Sequence, residues 1–384
     1  ARSGPVPGAA GGHGDPGPAA LGWKRPLWTP FSLHALNWLE WWSPRVVAAE
    51  GGVGAPAVVL GEAVTSPTPL VTVDGVPWGT GHALADDPWL IPQQGLRWAG
   101  ESWFADPLGG TAGRLELVTD DPDPARATST YHGVKGKHES YMRAIDVLTA
   151  EADWRVAFAF EEVIDNEAYN YSDDPDEIFQ PYPGWFRGHG KVRQSRSRLQ
   201  RRLDRDNHLT LEVSTARKTK DDMPAWGADH QEIWDTGVAV TMDGAGGAVA
   251  WRAIVHWRDR DVLWGDHTDE GDSLVAPRKV ETAREGIVLE LRPRTGTAPG
   301  DSAGVLPAVG PPSLSSLRLT YHHWYVGDSI DTLAVWPPEI GAVDGRGRQV
   351  RAEAATGWRF GGQRLEAAAS GVWDERIDIA PGWR

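Results

Sequence analysis

A chain of 384 residues has room for two or more domains and a sizeable core, and its 45 Gly, 29 Pro and 21 Trp favour short strands joined by many turns. A formal net charge of −15 argues against a nucleic-acid partner, and the absence of cysteine excludes disulfide scaffolds, thiolate zinc sites and cysteine nucleophiles. No run of about 18 apolar residues forms a transmembrane helix, and no basic-then-apolar leader follows Ala1, so a membrane assignment can rest only on strands.

Residues 1–22 are mostly Gly, Pro and Ala and read as a flexible lead-in. Residues 23–48 concentrate Trp23, Trp28, Phe31, Trp38, Trp41 and Trp42, with a short helix expected around Phe31–Trp42 and a break at Pro44. These aromatics could stack on sugars or a haem-like ligand, although packing in a core is the plainer reading. Residues 56–125 are short apolar runs divided by Gly and Pro. Leu70–Trp78 predicts a strand, a tight Asp74-Gly75 turn and the start of a second strand. Gly113–Thr119 predicts another, closed by Asp120-Asp121-Pro122-Asp123-Pro124.

From about residue 126 apolar and polar residues alternate. Trp154, Val156, Phe158 and Phe160 share one face, as do Leu209, Leu211 and Val213; Val249, Trp251, Ala253, Val255 and Trp257; Leu317, Leu319 and Tyr321; and Val350, Ala352, Ala354, Trp358 and Phe360. A period of two places one face in apolar surroundings and the other in water. Met242–Gly247 and Phe360–Gln363 read as hairpin turns. Longer polar loops are expected at 165–184, 218–229, 259–285 and 295–312. Short turns alternating with long loops are what an up-and-down barrel produces. Trp251 and Trp257 bracket small aliphatics, as Trp154 and Phe160 do, over roughly 20 Å of strand, short of the roughly 25 Å apolar band of a membrane barrel. Alternation alone fits a soluble β-sandwich equally well.

Residues 50–125 carry a series of segments in a recognisable order: Pro69–Trp78 with its Asp-Gly-Val-Pro, Asp87–Pro92 with Ile91-Pro92, Gly95–Ser102 with Leu96 and Glu101, and the Gly-rich Ala105–Thr119. In that order they resemble the plug domain of TonB-dependent outer-membrane receptors. Thr130–Gly133, Trp154–Phe160 and Tyr169–Tyr171 resemble the family's early barrel strands. The resemblance implies an all-β-dominated fold: a flexible segment at 1–22, a small α+β plug-like domain at 23–125, and an incomplete antiparallel up-and-down transmembrane β-barrel at 126–384. It marks Asp74, Gly75, Pro77, Pro92, Gly109, Gly110 and Gly113 as plug-motif positions, with the glycines allowing close packing against a barrel wall. It implies outer-membrane lipid, a TonB-like energy-coupling protein and a small extracellular nutrient such as an iron chelate as partners. The sequence departs from the family where Ala99-Gly100-Glu101 stands in place of an Arg-Gly, shows no clear TonB-contacting segment, and has too few residues after 125 for 22 strands.

No HExxH, GxSxG, P-loop or GxGxxG in a strand–helix setting is present, so no catalytic residue, cofactor or metal site is assigned. His132 and His138-Glu139 read as a polar strand face. His322 and His323 point to opposite faces of one strand and cannot chelate a single ion from it, leaving one lumen and one interface histidine. Asp173–Glu177 and Asp266–Glu270 lack the calcium-loop pattern and read as solvated. Arg187, Lys191, Arg193, Arg196, Arg198, Arg201, Arg202 and Arg205 read as strands lining a wet lumen or facing anionic lipopolysaccharide. The expected function is that of a non-enzymatic outer-membrane receptor-transporter. A soluble β-rich carbohydrate-active or lipocalin-like enzyme and a structural envelope barrel are the alternatives.

Overall fold

A computed structural model describes residues 20–24, 46–48, 58–60, 70–79, 90–91, 96–106, 110–119, 127–135, 140–165, 168–170, 185–187, 190–223, 228–246, 249–268, 271–293, 316–330, 345–360 and 363–377. The helix expected at Phe31–Trp42, the loop expected at 295–312 and residues 171–184 of the loop expected at 165–184 lie outside them, while Asp165 and Ala168–Asn170 are in strands. Strands dominate the described residues.

A five-stranded sheet comes from the N-terminal part: β1 (Ala20–Lys24), β4 (Leu70–Val73), β5 (Val76–Pro77), β6 (Leu96–Asp106) and β7 (Gly110–Thr119), in the order β1-β6-β7-β4-β5. β2 (Val46–Ala48) and β3 (Val58–Leu60) pair separately. β4 runs parallel to β7 and turns back into β5 through Asp74 (φ 51°) and Gly75 (φ 84°). Two successive left-handed residues match the right-handed twist of a tight hairpin, and the Asp-Gly pair is suited to them.

The second sheet is an antiparallel meander: β8 (Thr128–Lys135), β9 (Tyr141–Glu151), β10 (Trp154–Asp165), then β13 (Gly190–Arg202), β14 (His208–Met223), β15 (Ala228–Gly246), β16 (Val249–Thr268), β17 (Gly271–Pro293), β18 (Ser316–Ile330), β19 (Gly345–Phe360) and β20 (Gln363–Ile377). A small ladder of β11 (Ala168–Asn170) and β12 (Trp185–Arg187) lies between β10 and β13. The 11-stranded sheet is up-and-down and not closed: β8 and β20 remain its edges. It is an incomplete barrel.

The apolar parity faces out. Val156, Phe158, Leu199, Leu209, Leu211, Val213, Val240, Val255, Trp257, Ile287, Leu289, Leu291, Leu317, Leu319, Tyr321 and Val350 are all exposed on one side of the wall. The opposite parity is buried and charged: it carries Arg196, Glu212, Lys218, Asp235, Arg258, Arg260, Arg278, Glu290 and Arg318. An ordinary soluble sheet buries the other face. On β16 the outward apolar stretch starts at Val249, two residues before Trp251, and ends at Trp257. That length matches the roughly 9–11 residues with which a tilted strand crosses a bilayer.

Two loop expectations are overturned. Residues 218–223 and 228–229 belong to β14 and β15, 259–268 continue β16 and 271–285 lie in β17. Outside the apolar band both faces of these strands carry charge: Asp259, Asp261, Lys279 and Glu281 alternate with inward Arg258, Arg260 and Arg278, beside the inward apolar Val262, Trp264 and Val280. The residue pattern loses its period while the ladder keeps its hydrogen bonds. Likewise residues 242–246 of the turn expected at 242–247 belong to β15, which stays paired with β16 out to Gly246↔Val249.

Candidate functional site

Polar contacts gather where the β4–β5 hairpin meets the charged wall. The hairpin is closed by Val73↔Val76 and Thr72↔Pro77, and Trp78 N donates to Val71 O at 2.8 Å. Asp74 N donates to Leu117 O (2.8 Å), and the Asp74 carboxylate accepts from Thr119 N (2.9 Å) and Thr119 Oγ1 (2.6 Å), fixing the turn to β7.

On its other side the same carboxylate meets the wall. Arg196 Nη2 donates to Asp74 Oδ2 and to Glu212 Oε2, each at 2.5 Å, and Arg198 Nη1 stands 3.5 Å from Asp74 Oδ2 and 3.0 Å from Thr119 Oγ1. Burial alone would raise the Asp74 pKa. The Arg196 and Arg198 charges and the two Thr119 hydrogen bonds outweigh it and hold the carboxyl well below the usual carboxylate range.

Four more wall side chains donate to main-chain carbonyls of the N-terminal part. Arg318 Nη2 reaches Gly75 O (3.4 Å), Arg260 Nη2 reaches Trp78 O (3.3 Å), Arg284 Nη1 reaches Gly79 O (3.1 Å) and Gln194 Nε2 reaches Ile91 O (3.4 Å). The Trp78 ring lies over Arg258, its guanidinium carbon 3.7 Å from the ring centroid. Arg258 is held in place by Asp235 (2.7 Å) and Ser214 Oγ (2.9 Å), and Asp235 also accepts from Arg260 Nε at 2.9 Å. Gly237 makes the room: a Cβ there would stand 2.6 Å from Arg258 Nη2. Apolar contacts fill in between. Val76 packs on Ala239, Ile254 and Val288, while Leu90 is wholly buried among Ala216, Ile233, Val262, Trp264, Val280 and Val326.

The structure brings Asp74, Gly75 and Pro77 together at this contact. Gly110 and Gly113 lie in β7 opposite Asp106 and Trp103, and Pro92 and Gly109 fall outside the described residues. The basic run divides by parity. Arg196 and Arg198 face inward to Asp74. Arg193, with Arg143, surrounds Glu162 on the outside. Arg202 pairs with Asp153 (2.7 Å), and Arg201 stacks on Trp154 at 5.1 Å. His322 is buried inward, whereas His323 faces out beside Glu285 at 3.1 Å. Sequence reasoning missed Asp235, Arg258, Arg260, Arg284 and Arg318. They all lie on the polar parity of strands, and only register reveals which of them meet the hairpin.

Hydrogen bonds to charged donors contribute about 1.5–3 kcal/mol each. The hairpin carries backbone carbonyls and one carboxylate, all of which water could satisfy if it withdrew.

No protein-family model and no curated protein matches the sequence. Solved structures do match in fold. The hemophore receptor HasR of Serratia marcescens, solved with its hemophore HasA and heme, superposes with a TM-score of 0.59 at 11% identity, over 94% of this chain and 59% of that one. The ferric yersiniabactin uptake receptor FyuA of Yersinia pestis gives 0.54 at 12% identity, over 93% and 60%. The copper transporter OprC gives 0.61 at 10% identity, over 93% and 55%. These are TonB-dependent outer-membrane receptors, and this chain shares their fold over the part of it that it covers, an N-terminal sheet against an incomplete barrel wall. The chain spans between 55% and 60% of the length of these structures.

Proposed function

We propose that a chain with the fold of the TonB-dependent outer-membrane receptors acts as one: an outer-membrane receptor-transporter that takes up a small extracellular ligand past an N-terminal plug. The observation that carries the reading is the inversion of the wall, apolar outside and charged inside against the β4–β5 hairpin. A surface of that composition is costly in water and suited to lipid. The plug-motif residues Asp74, Gly75 and Pro77 would gate the lumen by seating on Arg196, Arg198 and Arg258, and Pro92, Gly109, Gly110 and Gly113 would shape the rest of the plug. The division into 1–22, 23–125 and 126–384 follows from the same reading. The similar structures include a hemophore receptor solved with heme, a ferric yersiniabactin uptake receptor and a copper transporter, which favours a metal-bearing nutrient as cargo and transport over catalysis. Uptake would draw on a TonB-like coupling protein.

The test is fractionation with heat-modifiable electrophoresis of the full chain. Recovery in the outer membrane, with a mobility change on boiling, is expected. A chain recovered in the soluble fraction with unchanged mobility overturns the reading in favour of a soluble β-protein.

A further inference from the structure

Arg143 on β9, Glu162 on β10, Arg193 on β13 and Arg217 on β14 are successive register partners in one outward-facing row, which Trp234 on β15 ends. The row borders the apolar band: the next outward row holds Ile145 and Phe160, and the one after it Phe158 and Val213. Arg193 and Arg217 stand directly opposite each other, an arrangement of like charges that destabilises a sheet. Glu162 accepts from Arg143 Nη2 and from Arg193 Nε, each at 2.5 Å, and from Tyr141 OH at 3.2 Å, with Lys191 Nζ 3.7 Å away. Arg217 pairs with Glu232.

Two carboxylates among four cations leave this patch positive on a chain whose net charge is −15. The side chains of Arg143, Arg193 and Arg217 are 50%, 53% and 58% exposed, so their guanidiniums keep donors open to the outside. The same row turns acidic beyond Trp234, where Asp261 is the partner of Trp234 and Glu281 of Asp261. Positive charge is therefore gathered on β9–β14 alone. Arg143 lies over the Tyr141 ring and Arg217 over the Trp234 ring, each at 5.7 Å, and such aromatics sit at the headgroup level of a bilayer. We propose that Arg143, Arg193 and Arg217, with Lys191, bind the phosphate groups of lipopolysaccharide in the outer leaflet.

The donor set and its depth select the ligand. A guanidinium fork matches two phosphate oxygens at once, and backbones on neighbouring strands about 4.7–4.9 Å apart let Arg193 and Arg217 share one phosphate. A phosphate held at this row leaves its acyl chains beside Ile145, Phe158 and Val213, so one molecule meets both the charge and the apolar wall. A free phosphate would use only the charge. The row also lies at the outer end of the wall. Residues 136–140, 166–189 and 331–344 separate the strands at this end, against 152–153, 247–248 and 361–362 at the other, where 294–315 is the long exception. In bacterial barrels the longer connections face outside. The inference rests on the outer-membrane reading and adds a lipid partner to it.

The probe is diphosphoryl lipid A, added to the full chain folded in detergent, with folding checked by heat-modifiable mobility and bound lipid read by native mass spectrometry. The double variant Arg193→Gln/Arg217→Gln should weaken binding at least tenfold, and Lys279→Gln, an outward cation on the acidic side of Trp234, should leave it unchanged. On the unmodified chain, which keeps the test valid should the variant fail to fold, dephosphorylated lipid A should bind at least tenfold more weakly, and inorganic phosphate should not displace the diphosphoryl lipid. Equal binding by wild type and the double variant, or no preference for the phosphorylated lipid, overturns the proposal. Displacement by inorganic phosphate overturns it too, by assigning the patch to a free anion. A chain recovered in the outer membrane whose double variant still binds the lipid would overturn this inference alone, whereas recovery in the soluble fraction would overturn the transport reading whatever the lipid result.

Discussion

The guanidinium carbon of Arg258 lies over the indole of Trp78, 3.7 Å from its ring centroid, and joins the β4–β5 hairpin to the wall. Trp78 is 3% exposed, so the contact is fully desolvated, where a cation–π pair contributes about 2 kcal/mol or more. Trp78→Ala should therefore loosen the hairpin by about 3–5 kcal/mol, the cost of deleting a large buried aromatic. Hydrogen exchange of the amides at 71–79 measures it. Exchange should rise there and stay unchanged on the outward apolar strands. Protection equal to wild type would show that the hairpin is held without this contact.

Gly237 should report on the same contact from behind. A Cβ would stand 2.6 Å from Arg258 Nη2 and 2.8 Å from Ser214 Oγ, so Gly237→Ala must push the guanidinium off its seat. Since both substitutions act through one contact, their effects should be non-additive, with a coupling of about 0.5–3 kcal/mol in a double-mutant cycle. Additive effects would place the cost of Gly237→Ala elsewhere.

Asp74 sets the acid limit of the seat. Its pKa is depressed in the folded chain because Arg196, Arg198 and the Thr119 hydrogen bonds outweigh the upward push of burial. A depressed acid stabilises fully above its unfolded pKa, about 3.9, and loses that contribution only as pH falls toward the lowered folded value. Hairpin protection should therefore persist unchanged from neutrality to about pH 4 and fall only in stronger acid. Asp74→Asn should remove this acid step and cost about 1–3 kcal/mol of seating at neutral pH, since Arg196 keeps Glu212. A wild-type transition near pH 6 would refute the assignment to Asp74.

Parity was legible in the sequence wherever one face is apolar. Trp154–Phe160, Leu209–Val213, Val249–Trp257 and Leu317–Tyr321 were each read with the face that the structure turns outward. The Asp74-Gly75 and 360–363 hairpins were legible too, because their turn chemistry is local. Residues 259–285 were not. Beyond the apolar band both faces carry charge, and a strand held only by its ladder has no hydropathy period. The single-strand argument on His322 and His323 held. The wall arginines escaped because chain order does not say which inward residue meets the hairpin.

Depth along one face separates a lipid-facing wall from a wet one. Leu289 is outward, 45% exposed, and pairs with Ala253 and Leu319 in the apolar band. Glu285 shares its parity and strand but lies at the row of His323, where charged groups already appear. If lipid covers the band, Leu289→Arg should cost about 2–4 kcal/mol and Glu285→Arg about 0–1 kcal/mol, because the penalty of a charge falls toward the interface. If water covers it, an exposed Leu289→Arg is a surface substitution that should stay within about 0.5 kcal/mol. Urea titration of the chain folded into phosphatidylcholine vesicles measures both variants. A large cost at Leu289 with a small one at Glu285 can come only from an apolar medium of finite thickness. Equal, small costs would return the wall to water.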